Sequence, residues 1–216
     1  MSELQEEQAP VSVTKKNQQL IVYLLVGGLI AAAGIFGYTE LYQKPLEAKA
    51  ADAMYVAEKY FANDSSEFVL NGDGTSKGVL YIIKEFSGTK AANLAKYYAG
   101  MSYYRLKDYN KAIDYLKDFS TNAKQVQAVA YGSIGDAYSE LKKNEEAIEY
   151  YKKAGTHFPE DEAISSEYLF RAASFLELNG KNDAAIEIYK QIKKDYPKSE
   201  KGFSIDKYIN RLQVQP

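Results

Sequence analysis

Three stretches of the chain, DYNKAIDYLKDF, KNEEAIEYYKKA and KNDAAIEIYKQI, share Ala-Ile followed by an acid, and their alanines, Ala112, Ala147 and Ala185, recur at nearly regular intervals. A recurrence of so long a period restricts the fold more than any other feature here. Each period is one supersecondary unit that cannot bury its apolar side alone, so neighbouring units must stack. Ahead of each stretch lies another helical segment: LAKYYAGMSYYRL, AVAYGSIGDAYSEL and YLFRAASFLELN. The polar breaks KDYN, KKNE and NGKND separate the halves, with Asn110, Asn144 and Asp183 expected as caps or turn residues. Gly100, Gly135 and Ala173 stand at one constant spacing ahead of Ala112, Ala147 and Ala185, so a small side chain on the first helix lets the second cross close to it. Pro159 and Pro197 stand where the second and third units end. The expected fold class is all-α, an array of antiparallel helix pairs.

A repeated helix–turn–helix of about 34 residues is the tetratricopeptide signature. The chain resembles that consensus further at Tyr103, Tyr138 and Leu176 on the first helices, and at Leu116, Tyr151 and Tyr189 on the second. Lys124 departs from it where a proline is usual. The expected units run about 93–126, 128–161 and 166–199 within a domain spanning 46–213. A degenerate unit is expected over 46–90, beginning with the Ala-rich LEAKAADAMYVAEKYFA. In it Gly78, one repeat period before Ala112, takes the place of the repeat alanine. NDSSEFVLNGDGTSKG interrupts this unit and reads as an ordered loop, since Asn71-Gly72 and Asp73-Gly74 are turn-forming pairs. A C-terminal helix over 200–213 caps the α-solenoid.

Before the repeats, LIVYLLVGGLIAAAGIFGY runs from Leu20 to Tyr38 without a charge. As a helix it is about 28 Å long, close to the roughly 30 Å of a bilayer core. It is longer than a signal-peptide apolar region, and the polar segment 1–19 before it carries Glu3, Glu6 and Glu7. A single transmembrane helix over 20–42 is therefore expected, with Tyr23, Tyr38 and Tyr42 near its ends. Gly27, Ala31 and Gly34 share one face and would admit a second helix; homo-oligomer formation through them is an open option. Lys15 and Lys16 on one side balance Lys44 and Lys49 on the other, so charge does not orient the span.

Covalent chemistry finds little footing. With no cysteine, thiolate metal sites, disulfides and a Cys nucleophile are excluded. His157 is the only histidine and lacks a second for a metal. NGDGTSKG fits neither a phosphate loop nor a calcium loop. A formal net charge of -2 gives no case for nucleic acid. The chain is expected to have no catalytic, cofactor or metal residues, and not to be an enzyme.

In tetratricopeptide arrays the first helix of each pair lines the binding groove. By that resemblance the partner-binding candidates are Tyr97, Met101, Tyr104 and Arg105, then Asp136, Ser139 and Glu140, then Phe170, Ser174 and Glu177. The carboxylate clamp of chaperone-binding arrays is absent: its positions hold Tyr97, Met101, Ser133 and Glu167, with only Arg171 basic. The order of short polar start, single span, Ala-rich helix and degenerate repeats resembles the ancillary SecYEG translocon subunit family, the YfgM-like proteins, in a Bacteroidetes-type version. TKAANLAKYYAGMSYYRLKDYNKAIDYL and AYGSIGDAYSELKKNEEAIEYYKKA carry that likeness. It implies a bacterial inner-membrane protein with a cytoplasmic N-terminus and a periplasmic array. As partners it implies the Sec translocon, a periplasmic foldase and exported clients. A scaffold for a cytosolic or envelope-assembly complex is the alternative.

Overall fold

The computed structural model of the chain describes residues 15–214, so positions 1–14 of the polar segment, with Glu3, Glu6 and Glu7, lie outside the described residues. The chain divides into two units, 1–46 and 47–216. In the first, helix α1 (Lys15–Tyr38) is followed by a π-helical turn, Thr39–Gln43. The Tyr38 and Tyr42 rings stack with centroids 5.4 Å apart, and Lys44 pairs with Glu40. Leu20 to Ile30, Ile35 and Phe36 are exposed, and none of the helix's apolar window is buried. Among the described residues one helix is long and apolar enough to cross a membrane.

The second unit takes α2 (Lys44–Ala62) from Glu47 onward, then α3 (Ser66–Asn71) and α4 (Val79–Glu85). Three helix pairs follow: α5 (Lys90–Arg105) with α6 (Tyr109–Asp118), α7 (Lys124–Glu140) with α8 (Asn144–His157), and α9 (Glu162–Leu178) with α10 (Asn182–Asp195). Helices α11 (Glu200–Ser204) and α12 (Asp206–Val214) end it. No strand occurs among the described residues beyond an isolated bridge between Gly72 and Lys77.

The pairs turn in one way. After each first helix, one residue takes the left-handed conformation: Lys107 (φ 64°), Lys142 (φ 60°) and Gly180 (φ 71°). The next amide then reaches back across the helix end, Asp108 to Tyr103, Lys143 to Tyr138 and Lys181 to Leu176, at 2.9 to 3.0 Å. Carbonyls orphaned at the helix end are thereby satisfied. The expected caps differ from those formed. Asp108, not Asn110, caps α6 by accepting from the Lys111 amide, and Lys143 and Lys181 precede α8 and α10 without a side-chain cap. Asn144 is the first residue of α8, and its side-chain amide donates to Asn179 at 3.1 Å instead. The shared backbone motif makes those side-chain caps dispensable.

Small residues set the crossings. A Cβ on Gly100 would stand 2.5 Å from the Leu116 side chain and 3.1 Å from the Ala112 carbonyl. One on Gly135 would stand 2.8 Å from the Tyr151 ring, and one on Gly155 2.9 Å from the Leu169 amide. Ala112, Ala147, Ala173 and Ala185 are wholly buried. One continuous core runs from Ile113 through Ile134, Tyr151, Leu169 and Tyr189 to Leu212.

The degenerate unit departs from its sequence reading. The insertion contains α3, because Val69 and Leu70 are apolar and join Ala50, Met54, Ala57, Val79 and Ile82 in a second core cluster. Its turn is held by Asp73, which accepts from the Thr75 and Ser76 amides, the Thr75 hydroxyl and the Tyr60 phenol. Those bonds, Tyr60 first, hold the Asp73 carboxyl well below its ordinary range. Gly78 is not a mid-helix spacer: it precedes α4, where a Cβ would stand 2.2 Å from the Leu70 carbonyl oxygen. At the C-terminus the expected single helix is two, divided at the fully buried Ile205.

Candidate functional site

The first helices of the three pairs place most of the candidate residues on a half-buried face of the second unit. Its centre is Asp136 on α7. That carboxylate accepts from the Tyr151 phenol at 2.7 Å and from the Arg171 guanidinium at 2.8 Å. Arg171 also donates to Glu167 at 2.8 Å, and Lys201 pairs with Glu167 at 3.1 Å. Burial works against the Glu167 charge, but Arg171 and Lys201 outweigh it and hold the carboxyl below its ordinary range. Burial also opposes the Arg171 charge, and Glu167 and Asp136 overcome it, leaving the guanidinium firmly protonated. Burial, then the Asp136 carboxylate, pushes the Tyr168 phenol up to about 12 and the Tyr151 phenol higher still. Both remain hydrogen-bond donors across any physiological pH.

Around that centre the candidates separate. Tyr104 belongs to it: burial raises its phenol, and Asp136 and Glu140 add to the effect. Tyr109 packs edge-on to Tyr104 with centroids 5.5 Å apart and donates to Glu140 at 3.3 Å. Ser139 donates to the Asp136 carbonyl at 2.8 Å, a bond within its own helix. Tyr97 and Met101 pack against the main core, with the Tyr97 ring 5.3 Å from Phe119. Arg105 is not part of the group. Its guanidinium lies over the Phe61 ring at 4.1 Å, donates to the Phe61 carbonyl and pairs with Asp64 at 3.0 Å. Phe170, Ser174 and Glu177 form a different cluster with the C-terminal helix. Phe170 meets the Tyr208 ring at 4.8 Å, Ser174 meets the Tyr189 phenol, and Glu177 accepts two bonds from Arg211 at 2.6 and 2.8 Å. Gly27, Ala31 and Gly34 lie exposed on α1, and a Cβ on either glycine would meet nothing within 4 Å.

Sequence reasoning missed Tyr168. A Cβ on Gly132 would stand 2.1 Å from its ring, so that ring lies directly against the α7 backbone. A second glycine one helical turn before Gly135 was the available signal. It also missed Glu47, whose two carboxylate oxygens accept from the Lys90 and Ala91 amides at 2.8 and 3.0 Å. Together with Thr89, which accepts from Ala92, Glu47 satisfies three orphan donors at the start of α5. No local pattern announces a contact between positions so far apart in the chain. Among the described residues no group of three His, Cys, Asp or Glu residues is arranged to hold a metal.

Sequence models described as Tetratricopeptide repeat match residues 94–124, 128–154 and 167–199. The helical array is a tetratricopeptide-repeat solenoid. Crystal structures from Podosopora anserina, described as putative kinesin light chain nearly identical TPR-like repeats, are similar to it. One is 11% identical over 77% of this chain and 85% of its own, with a TM-score of 0.55. A second is 11% identical over 77% and 86%, with a TM-score of 0.56. No curated protein matches the sequence. Tetratricopeptide repeats indicate an adaptor for protein–protein interaction, and the fold is typically a non-catalytic scaffold. In this solenoid the face centred on Tyr104, Asp136 and Arg171 offers phenol donors, one exposed carboxylate in Glu140 and half-buried rings. That chemistry suits adaptable, non-covalent capture of a protein segment.

Proposed function

We propose that this tetratricopeptide-repeat protein is a membrane-anchored adaptor with chaperone-like action, held by α1 beside the Sec translocon, where its array binds exported proteins and a periplasmic foldase. The observation that carries the reading is the unburied apolar helix α1 on the same chain as a protein-binding array. Exposing that many apolar side chains to water is costly, and a bilayer removes the cost. Anchorage also raises the array's effective concentration at the membrane surface. The translocon itself enters only through the family resemblance. In this reading Tyr97, Met101, Tyr104, Asp136, Ser139, Glu140, Phe170, Ser174 and Glu177 face the client, and Arg105 buttresses α2 instead. Gly27, Ala31 and Gly34 would seat a neighbouring membrane helix or a second copy.

Photocrosslinking in cells from position 104 and from position 34 tests it, read by mass spectrometry. Recovery of translocon subunits from position 34 and exported chains from position 104 supports the reading. Recovery of neither, or release of the protein from membranes by alkaline carbonate, overturns it. The lysines flanking α1 balance and leave one second reading open, an anchored scaffold for a cytosolic or envelope-assembly complex. Labelling of a cysteine placed at position 203 by an impermeant thiol reagent separates the two sides.

A further inference from the structure

Gly132, Asp136 and Glu140 form one stripe along α7, and each meets a tyrosine from another helix. A Cβ on Gly132 would collide with the ring and the phenol oxygen of Tyr168. Tyr151 donates to Asp136 at 2.7 Å. Tyr109 donates to Glu140 at 3.3 Å, with the Tyr104 ring edge-on beside it at 5.5 Å. The ions at the centre are engaged with one another: Asp136 with Arg171, and Glu167 with Arg171 and Lys201. Two phenols are not engaged. Tyr109 and Tyr151 have hydrogen-bond partners, whereas Tyr104 and Tyr168 have none among the described residues. Both rings are half-buried. Among the described residues the wholly buried side-chain polar atom without a partner is Ser102 Oγ, so both phenol oxygens still open to the surface. Tyr97 and Met101 lie on the same α5 face as Tyr104 and extend its apolar floor, half-buried against the main core.

Building on the reading of this face as the client-binding surface, we propose that it takes an extended, uncharged, apolar polypeptide segment and holds it by the main chain, with the Tyr104 and Tyr168 phenols donating to backbone carbonyls. A phenol in open water is satisfied by water, as at Tyr55, which is 72% exposed. On a half-buried ring the same group gains more from a fixed acceptor. That acceptor must be neutral. After burial, the strongest influence on both phenols is the Asp136 carboxylate, ahead of Arg171, and Glu140 adds to it at Tyr104. A second carboxylate is therefore repelled. A lysine or arginine side chain offers donors alone and leaves the phenolic protons without an acceptor. A peptide carbonyl meets both conditions, and every residue of an extended chain carries one. Side chains of the segment then rest on the Tyr97 ring and on Met101, whose flexible thioether adapts to varied apolar shapes. Recognition of this kind depends on apolarity and the absence of acids, not on a particular sequence, which suits a chain that has not yet folded.

The test uses full-length protein in phosphatidylcholine nanodiscs and an end-blocked nonapeptide of alternating leucine and serine with an uncharged fluorophore. Binding is read by anisotropy against empty nanodiscs. The expected result is saturable binding that salt changes little. It should weaken severalfold when the central amides are replaced by esters, whose carbonyls accept more weakly, and be lost with glutamate in place of serine. The double variant Tyr104→Phe with Tyr168→Phe keeps both rings and should bind about 25-fold more weakly, since each neutral hydrogen bond is worth a factor of about 5. Tyr55→Phe should leave binding unchanged, and circular dichroism verifies that each variant retains its helicity. A photoreactive residue at position 101 reports whether the peptide lies on this face. A crosslink there combined with undiminished binding by the phenylalanine pair overturns main-chain capture and leaves the client-binding face standing. Equal binding of the glutamate peptide, or binding confined to a lysine version, does the same. Peptide binding without a crosslink at position 101, or no binding at all, overturns the client-binding face and this proposal with it.

Discussion

The pair α7–α8 and the degenerate unit α2–α4 solve the same packing problem by different means. In α7–α8 a glycine stands wherever a ring must lie on backbone: Gly135 under Tyr151, and Gly132 under Tyr168 of the next unit. Side chains of opposite size do the joining, so the period survives in the sequence. The degenerate unit has its own apolar cluster, and polar and backbone joints supplement it. Gly78 brings the start of α4 against the Leu70 carbonyl, Asp73 knots the insertion, and Glu47 clasps the first amides of α5. Such joints need one residue of one type at one place, with no periodic echo. A repeat unit can therefore lose its consensus without losing its position in the stack, provided a few specific hydrogen bonds replace the missing interdigitation.

The sharpest way to break this contrast is to empty the joint that Tyr151 fills. Tyr151→Ala should cost about 4 kcal/mol, as large-to-small aromatic changes in cores do, measured by urea unfolding in detergent. An effect below that of the glycine and cap variants would mean that side-chain fit is not what joins α7 to α8. Next comes Gly78→Ala, expected to cost about 3 kcal/mol because a backbone carbonyl, not a flexible chain end, stands in the way. A tolerated alanine would show that the degenerate unit adapts. Glu47→Ala should cost about 1 kcal/mol, as lost helix caps do, and should speed amide hydrogen exchange at Lys90 and Ala91 above all.

Acid provides a graded test of the polar joints. Asp108 and Asp161 are held low by Lys111 and by the Ile164 amide respectively, and Glu167, despite its burial, by Arg171 and Lys201. The unfolded chain protonates these groups first. Their stabilisation is therefore complete above the ordinary carboxylate range of about 4 and falls away as pH drops through the lower folded values. Melting temperature should be flat near neutrality and decline below about pH 4.5; no decline would remove these carboxylates from the account. The smallest effect concerns the turns. Lys142→Gly should stabilise by about 0.5 kcal/mol, since a lysine at φ 60° is strained where the third unit already has Gly180. A loss of stability would show that the Lys142 side chain contributes more than its backbone costs.

Much of the fold was readable because periodic burial leaves periodic residues. The recurring alanines Ala112, Ala147 and Ala185, the small residues Gly100, Gly135 and Ala173 ahead of them, and Pro159 and Pro197 all report local rules that repeat from unit to unit. The candidate site was legible only in part. Tyr104, Asp136 and Glu140 do gather, yet Arg105 turns to Phe61 and Asp64, Phe170 and Glu177 engage α12, and Ser174 meets Tyr189 on α10. Helical spacing names the face a residue occupies; it does not name the partner that its charge finds.

By itself the sequence determined the helix-pair array, its period and the apolar character of α1, because these follow from composition and spacing along one chain. Only the tertiary structure decided that Val69 and Leu70 turn an insertion into a helix, that Glu47 caps the distant helix α5, and that Arg171 is enclosed by Asp136 and Glu167. The physical reason is common to all three. Burial and hydrogen bonding are settled by whichever group comes within a few ångströms, and for distant parts of the chain that neighbour exists only after folding.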